Sequence, residues 1–515
     1  TVATIDLDAG RRAKVSTAYH SACSYLAAGR SLLPPDPWTR EYTLTASLHR
    51  ESIECEYLAG HPERALALFA PFLAHARTTL EKAELHALRA TLETNRGDLQ
   101  AALAAGREGL ALFGVRLPAT AGTPALLAEF ARYQLTTRGA APAALRELPA
   151  MTDPARRAEL RVLMAMTAAA YFTDTNLASL LLLRMARLSV KHGVCEVSAY
   201  GFMGVGLVMS GAFGRYAAGD ELGRLARDLN ERFDNAELRA KIGLFWATFM
   251  MSWTRPFPEV KAALRRASEV GLETGDIIYS VYSAVTECFL MVLTGDPLPA
   301  LCERIEVMRQ FVRRRGLADQ TATLGHMLHV FGRVLAGPGE PELAATLAAE
   351  DAAIRAGLDD TRTPLAMFYY HLYRAIERYL LADFAAARAA LAEANARTRV
   401  AFGSAITADL RFYEGLILAR TDVPGGAGRA QRAAIERALA QLGKWARSAP
   451  ANYAAREALV RGEWARLRGD DGEALRAYNQ AIALARAHRS PNIEGLACEC
   501  ALRFADARGY PILAR

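Results

Sequence analysis

The chain has 515 residues, of which 52% are hydrophobic and 23% charged, with a mean hydropathy of +0.04. That balance excludes a disordered or low-complexity chain, and a composition led by Ala and Leu with 8% aromatics suits helix packed on helix. The net charge of +7 is small for this length and is carried almost wholly by arginine, which argues against nucleic acid as the partner.

A turn signal recurs about every forty residues. It reads Gly60-His61-Pro62, Arg96-Gly97-Asp98, Gly211 to Gly214, Thr294-Gly295-Asp296-Pro297, Gly337-Pro338-Gly339, Ala382-Asp383-Phe384, Gly425-Gly426 and Arg468-Gly469-Asp470. Between these signals lie paired stretches with apolar residues at helical spacing. Two helices per period predict an all-α, tetratricopeptide-like repeat solenoid, a right-handed superhelix of about ten to twelve antiparallel hairpins.

In chain order, residues 1–113 read as three tetratricopeptide-like hairpins. A helix over Ala13 to Ala28 is expected to end at Gly29, Pro34 to Pro37 break the chain, and Trp38 to Leu58 form the next helix. Pro62 and Glu63 suit the first turn of the helix after Gly60. Residues 114–153 are an irregular linker rich in Pro and Gly, with one helix around Leu126 to Leu135. The main solenoid, 154–515, starts at Thr152-Asp153-Pro154, an N-cap followed by proline at the first helical position. Helix caps are expected at Gly193, Gly271 and Gly316. Val197 to Gly214 carries no charge, but its glycines and internal turn mark a buried helix rather than a membrane span. Pro511 to Arg515 stop in what reads as the start of another helix, so an excised, truncated fragment is expected.

Chemistry-bearing motifs are sparse. Seven scattered cysteines, at 23, 55, 195, 288, 302, 498 and 500, argue for small buried thiols in a reducing cytoplasm, and no basic-then-apolar leader opens the chain. Cys498 and Cys500 diverge by about 200° on a helix and make a poor metal or redox pair. His326 and His329 share a helical face, but no acid or thiol stands beside them in sequence, so packing is the expected role. Gly201 to Gly206 has the wrong order for a dinucleotide loop and reads as close helix packing. Arg313 to Arg315 read as a solvated helix end. No phosphate loop, kinase loop or phospho-acceptor box is present, and no cofactor or metal is expected.

Several tracts resemble the tetratricopeptide-like helical region of very large bacterial signalling proteins. They are Ala9 to Tyr19, Trp38 to Tyr42 through Glu54 to Gly60, Leu148-Pro149-Ala150-Met151-Thr152-Asp153-Pro154 with Ala170-Tyr171-Phe172, and Lys444 to Arg447 with Pro450 to Tyr453. Those proteins join a serine/threonine-kinase-like domain, an AAA-type ATPase, this helical region, a GAF domain and a sensor histidine kinase. The resemblance covers essentially the whole chain and implies a non-catalytic, cytoplasmic regulatory segment that relays signals between flanking domains. The alternative is a helical domain that senses a small-molecule effector for an ATPase-linked regulator. The expected partner is a protein or peptide, including flanking domains of the same polypeptide, without membrane insertion. First helices of successive pairs should line a concave wall, and there Trp246, Trp253, Tyr279, Tyr282, His326 and Tyr369 are the candidate groove residues.

Overall fold

In the computed structural model the marked turns at Gly97, Ala382 and Gly469 share one chemistry. A helix ends on a left-handed residue, and the next residue, Asp or Asn, caps the following helix through its side chain. Gly97 (φ 89°) precedes Asp98, whose carboxylate accepts the Ala101 N–H at 3.0 Å. Gly469 (φ 78°) precedes Asp470, which accepts the Glu473 N–H at 3.0 Å. Ala382 (φ 59°) with Asp383 and Asp234 (φ 46°) with Asn235 repeat the device on residues that pay a steric cost for left-handed backbone.

The structure describes residues 1–509 apart from 17, 315–317, 337–340, 360–362 and 421–427. The expected turns at Gly337 and Gly425, the cap at Gly316 and the terminal Pro511 to Arg515 lie outside the described residues. Among the described residues the protein is all-helical, without strands; one isolated parallel bridge joins Ala150 and Val194. Two compact units divide the chain, Thr1–Val205 and Gly206–Arg515.

The first unit holds α1 (Val2–Val15), α2 (Tyr19–Ser31), α3 (Pro37–Arg40), α4 (Tyr42–Leu58), α5 (Pro62–Ala67), α6 (Phe69–His75), α7 (Thr79–Arg96), α8 (Leu99–Ala111), α9 (Thr123–Thr137), α10 (Pro142–Arg146), α11 (Pro154–Thr173) and α12 (Thr175–His192). The helix expected over Ala13 to Ala28 is two helices, and Gly29 lies inside α2 instead of capping it. A Cβ on Gly29 would meet Leu48 Cδ2 at 2.9 Å and Asp6 Cβ at 3.1 Å, so this glycine serves close packing. The stretch expected as one helix from Trp38 to Leu58 breaks at Glu41 (φ −132°). The 114–153 stretch lies within this unit, and its α9 packs on α12. Asp153 caps α11 by accepting the Ala155 N–H at 2.9 Å, with Pro154 behind it. The helix α13 (Ser198–Gly211) follows, and Gly204 lets it approach α12 so closely that a Cβ would lie 2.5 Å from Leu182 Cβ.

The second unit continues with α14 (Tyr216–Phe233), α15 (Ala236–Phe249), α16 (Phe257–Thr274), α17 (Ile277–Thr294), α18 (Leu298–Arg313), α19 (Ala318–Ala336), α20 (Pro341–Gly357), α21 (Pro364–Leu380), α22 (Phe384–Ala396), α23 (Ile406–Arg420), α24 (Arg429–Ser448), α25 (Pro450–Arg468), α26 (Asp471–Ala487) and α27 (Pro491–Arg508). Each helix packs on the next, and odd-numbered helices also pack on one another: α15 on α17, α19 on α21, α21 on α23, α23 on α25 and α25 on α27. Gly271, expected as a cap, is interior to α16. A Cβ there would meet Ser280 Cβ at 2.8 Å, and the cap is Gly275 (φ 77°). Among the described residues one helix, α17, is long and apolar enough to cross a membrane; 61% of it is buried in the protein and it carries Glu287 at 0% exposure.

Candidate interaction site

The six candidate residues fall on α15, α17, α19 and α21 or just beyond, and four of them are interior. Trp246 is 9% exposed; its indole N–H donates to Asp220 Oδ1 at 2.7 Å, and the Arg227 and Arg255 guanidinium carbons lie 5.1 and 5.0 Å from its ring. Trp246, Phe249 and Trp253, spaced i, i+3 and i+7, do not share one helical face. The helix ends at Phe249, Met250 departs from helical backbone (φ −128°), and Trp253 sits in a 3-10 turn. Trp253 is buried, stacked on Trp445 at 5.0 Å and Tyr453 at 5.7 Å, and donates its indole N–H to the Gly403 carbonyl at 3.1 Å. Tyr369 is buried against Phe289 at 4.2 Å, and His326 is buried as well.

Tyr279 and Tyr282 are half-buried and meet edge to face at 5.9 Å. Phe245, also half-buried, lies 6.3 Å from the Tyr279 ring, and Lys241 Nζ stands 5.2 Å over it. Burial raises the carboxyl pKa of the nearby Asp276 in spite of the opposing charge of Lys241. The part of the candidate set that a partner can touch is therefore Tyr279 and Tyr282, extended by Phe245 and Lys241.

The other aromatics are consumed by a closure of the second unit on itself. Side chains at the α24–α25 junction read the backbone of 252–257. Ser448 donates to the Trp253 carbonyl at 2.6 Å, Tyr453 to the Ser252 carbonyl at 2.8 Å, and Asn452 Nδ2 to the Arg255 carbonyl at 2.8 Å. The Phe257 N–H donates to Asn452 Oδ1 at 3.0 Å. Arg456, 1% exposed, donates to the Asn452 carbonyl at 2.7 Å and to the Leu293 carbonyl, with Asp409 Oδ1 3.7 Å from its Nε. These bonds satisfy backbone groups that the break between α15 and α16 would leave orphaned in the interior. A small cavity beside them, lined by Thr248, Thr286, Phe289 and Ser404, has room for about one water.

Sequence neighbours gave no acid beside His326 and His329, but the fold supplies two from other helices. His326 Nε2 donates to the Tyr370 carbonyl at 3.0 Å, which leaves Nδ1 facing Asp351 Oδ1 at 2.6 Å. Tyr370 OH donates to Asp351 Oδ2 at 3.1 Å, and Arg374 does so at 2.8 Å. His329 Nε2 lies 3.9 Å from Asp351 and 3.8 Å from Glu377. Burial works to raise the Asp351 pKa, but the His326 hydrogen bond and the two imidazoles outweigh it and hold the group at about 2. Among the described residues no group of three or more His, Cys, Asp or Glu has a metal-holding arrangement. The signal that finds this cluster is spatial, since its acids come from α20 and α21.

Fully buried glutamates recur on the odd-numbered helices, each bound by arginine. Glu287 of α17 pairs with Arg265 and, at 2.8 Å, with Arg304; Glu377 of α21 pairs with Arg333 at 3.1 Å; Glu463 of α25 pairs with Arg420 at 2.9 Å. The last two join one odd helix to the odd helix before it at nearly the same chain interval, 43 residues for Arg420 and Glu463.

No protein-family model matches the chain. A curated protein named hybrid signal transduction histidine kinase G, from Dictyostelium discoideum, is 19% identical to it over 322 residues, which cover 57% of this chain and 9% of that protein. This distant likeness and the all-helical structure together suggest a helical region of a signalling protein. The chain matches only a small part of its relative's length.

Proposed function

We propose that the chain is a non-catalytic, tetratricopeptide-like regulatory solenoid of a multidomain signalling kinase, working in the cytoplasm and relaying a signal between flanking domains. The observation that carries the reading is a pair of arginine–glutamate bridges onto fully buried glutamates, Arg333–Glu377 and Arg420–Glu463, each joining one odd-numbered helix to the next at intervals of 44 and 43 residues, as in a stacked two-helix repeat. Repeats of this kind present extended surfaces for partners. The likeness to a relative named as a histidine kinase supports the signalling part of the reading.

The partner contacts Tyr279, Tyr282, Phe245 and Lys241, where rigid amphipathic rings give contact area at low entropic cost. The test is Tyr279→Ala with Tyr282→Ala in the full-length protein. Kinase output should change by about threefold or more with the melting curve unmoved, since half-buried rings at a hot spot act on binding first. Unchanged output with unchanged stability rejects the surface. ATP turnover by the purified chain, abolished by a substitution within it, rejects the non-catalytic reading.

A further inference from the structure

The helix α24 carries Arg429, Arg432, Arg437, Lys444 and Arg447 against one acid, Glu436, a net +4 on 20 residues where the whole chain carries +7. All six side chains are exposed. Its buried residues are Gln431, Ile435, Ala438, Leu442 and Trp445. On a helix of 3.6 residues per turn the six charges fall within an arc of about 140°, centred opposite the buried face, and run for about 27 Å along the axis. The strip therefore points away from the core that holds the helix.

Four of its five cations are also unspent. On α16, Lys261 pairs with Asp296 at 2.7 Å, Arg265 with Glu287, and Arg266 with Glu273 at 3.0 Å. On α18, Arg304 and Arg309 pair with Glu287 and Glu306, both at 2.8 Å. Arg429, Arg437, Lys444 and Arg447 enter no ion pair among the described residues. Like charges at these spacings repel one another, so the strip costs the free protein stability that a partner would return.

We propose that the outer face of α24 docks an acidic helical segment of a partner protein. Ala433, Ala440 and Gly443 lie along the middle of the strip, at spacings of seven and three, so a second helix can approach closely while the cations flank it, as charges flank a two-helix seam. Glu436 lies inside the arc and takes a cation from the partner. A phosphate polymer would meet that carboxylate as a repulsion and would find no aromatic residue on the strip for base stacking. A bilayer would find no apolar or aromatic anchor, because the apolar face of α24 is turned into the protein. This surface is separate from the aromatic one proposed above and does not depend on it.

The test uses the whole chain and a fluorescent 21-residue helical peptide with glutamate at every third or fourth position, with a 20-base-pair DNA duplex and phosphatidylserine vesicles as competing probes. The peptide should bind, and the variant R429E/R437E/K444E should bind it about tenfold or more weakly, with the circular-dichroism melt unchanged because the face is solvent-exposed. Reversal of Arg12, Arg40 and Arg64, exposed cations elsewhere, should leave binding unchanged. Equal binding by both variants, or reversal-sensitive binding that is tighter for DNA or vesicles than for the peptide, overturns the proposal.

Discussion

Asp351 and Asp409 are both nearly closed to solvent in the second unit, 4% and 3% exposed, but Asp409 is the more deeply enclosed, and the two behave as opposite kinds of acid. Around Asp351, three side-chain partners from α19 and α21 reach the carboxylate at 2.6 to 3.1 Å, and its pKa is held at about 2. Around Asp409, burial dominates and raises the pKa to about 6, because Arg456 stands 3.7 Å off and gives its hydrogen bonds to the Asn452 and Leu293 carbonyls. Depth of enclosure and the placement of donor atoms within hydrogen-bond reach together set the charge of a buried carboxyl.

The largest effect that would break this contrast is Asp351→Ala. It leaves Arg374 and the polar atoms of His326 and Tyr370 without their buried acceptor, so urea denaturation at pH 7 should show a loss of about 3–5 kcal/mol. A loss below about 1 kcal/mol would mean the cluster does not hold α19, α20 and α21 together. Next in size is the pH dependence contributed by Asp409. Its folded pKa of about 6 exceeds the ordinary 3.8, so below pH 4 both states hold the proton, and between 4 and 6 the unfolded state ionises first. Stability should fall by about 3 kcal/mol across that window, a slope missing from Asp409→Asn.

Asp351 has the reverse sign. Its folded pKa lies below 3.8, so its contribution of about 2 kcal/mol is complete above pH 4 and disappears as pH falls towards 2. The difference between wild-type and Asp351→Ala stability curves, measured from pH 2 to 7, checks it. The smallest effect expected is that of Asp409→Asn, which cannot ionise and escapes the cost of charging Asp409, so its stability at pH 7 should not fall below that of wild type. A loss as large as that of Asp351→Ala would erase the distinction between the two sites.

Much of the helical plan is legible in the sequence because its causes are local. Gly97-Asp98, Ala382-Asp383 and Gly469-Asp470 each state a helix end and a cap in two residues, and Asp153-Pro154 states a helix start. Glycine misleads where its role is close approach, as at Gly29 and Gly271, since a packed glycine and a capping glycine look alike in sequence. The candidate groove was half legible. Spacing gathered Tyr279 and Tyr282 correctly on one helix, but Trp253 depends on a break at Met250 and on Gly403 and Trp445, far along the chain. Asp351 beside His326 was invisible for the same reason.

The bonds between 252–257 and 448–453 span 195 to 201 residues of chain. A stack whose neighbours touch only neighbours can nucleate anywhere and fray from either end, like a zipper. Here the segment after α15 stays unsatisfied until α25 has been synthesised and folded, so one long search must close before Trp253 is dry. Hydrogen exchange should accordingly find the amides of α15 and α16 opening together with those of α25, as one cooperative block, while α27 opens at lower cost. A protein built from repeats would then melt, in this stretch, as a single globule.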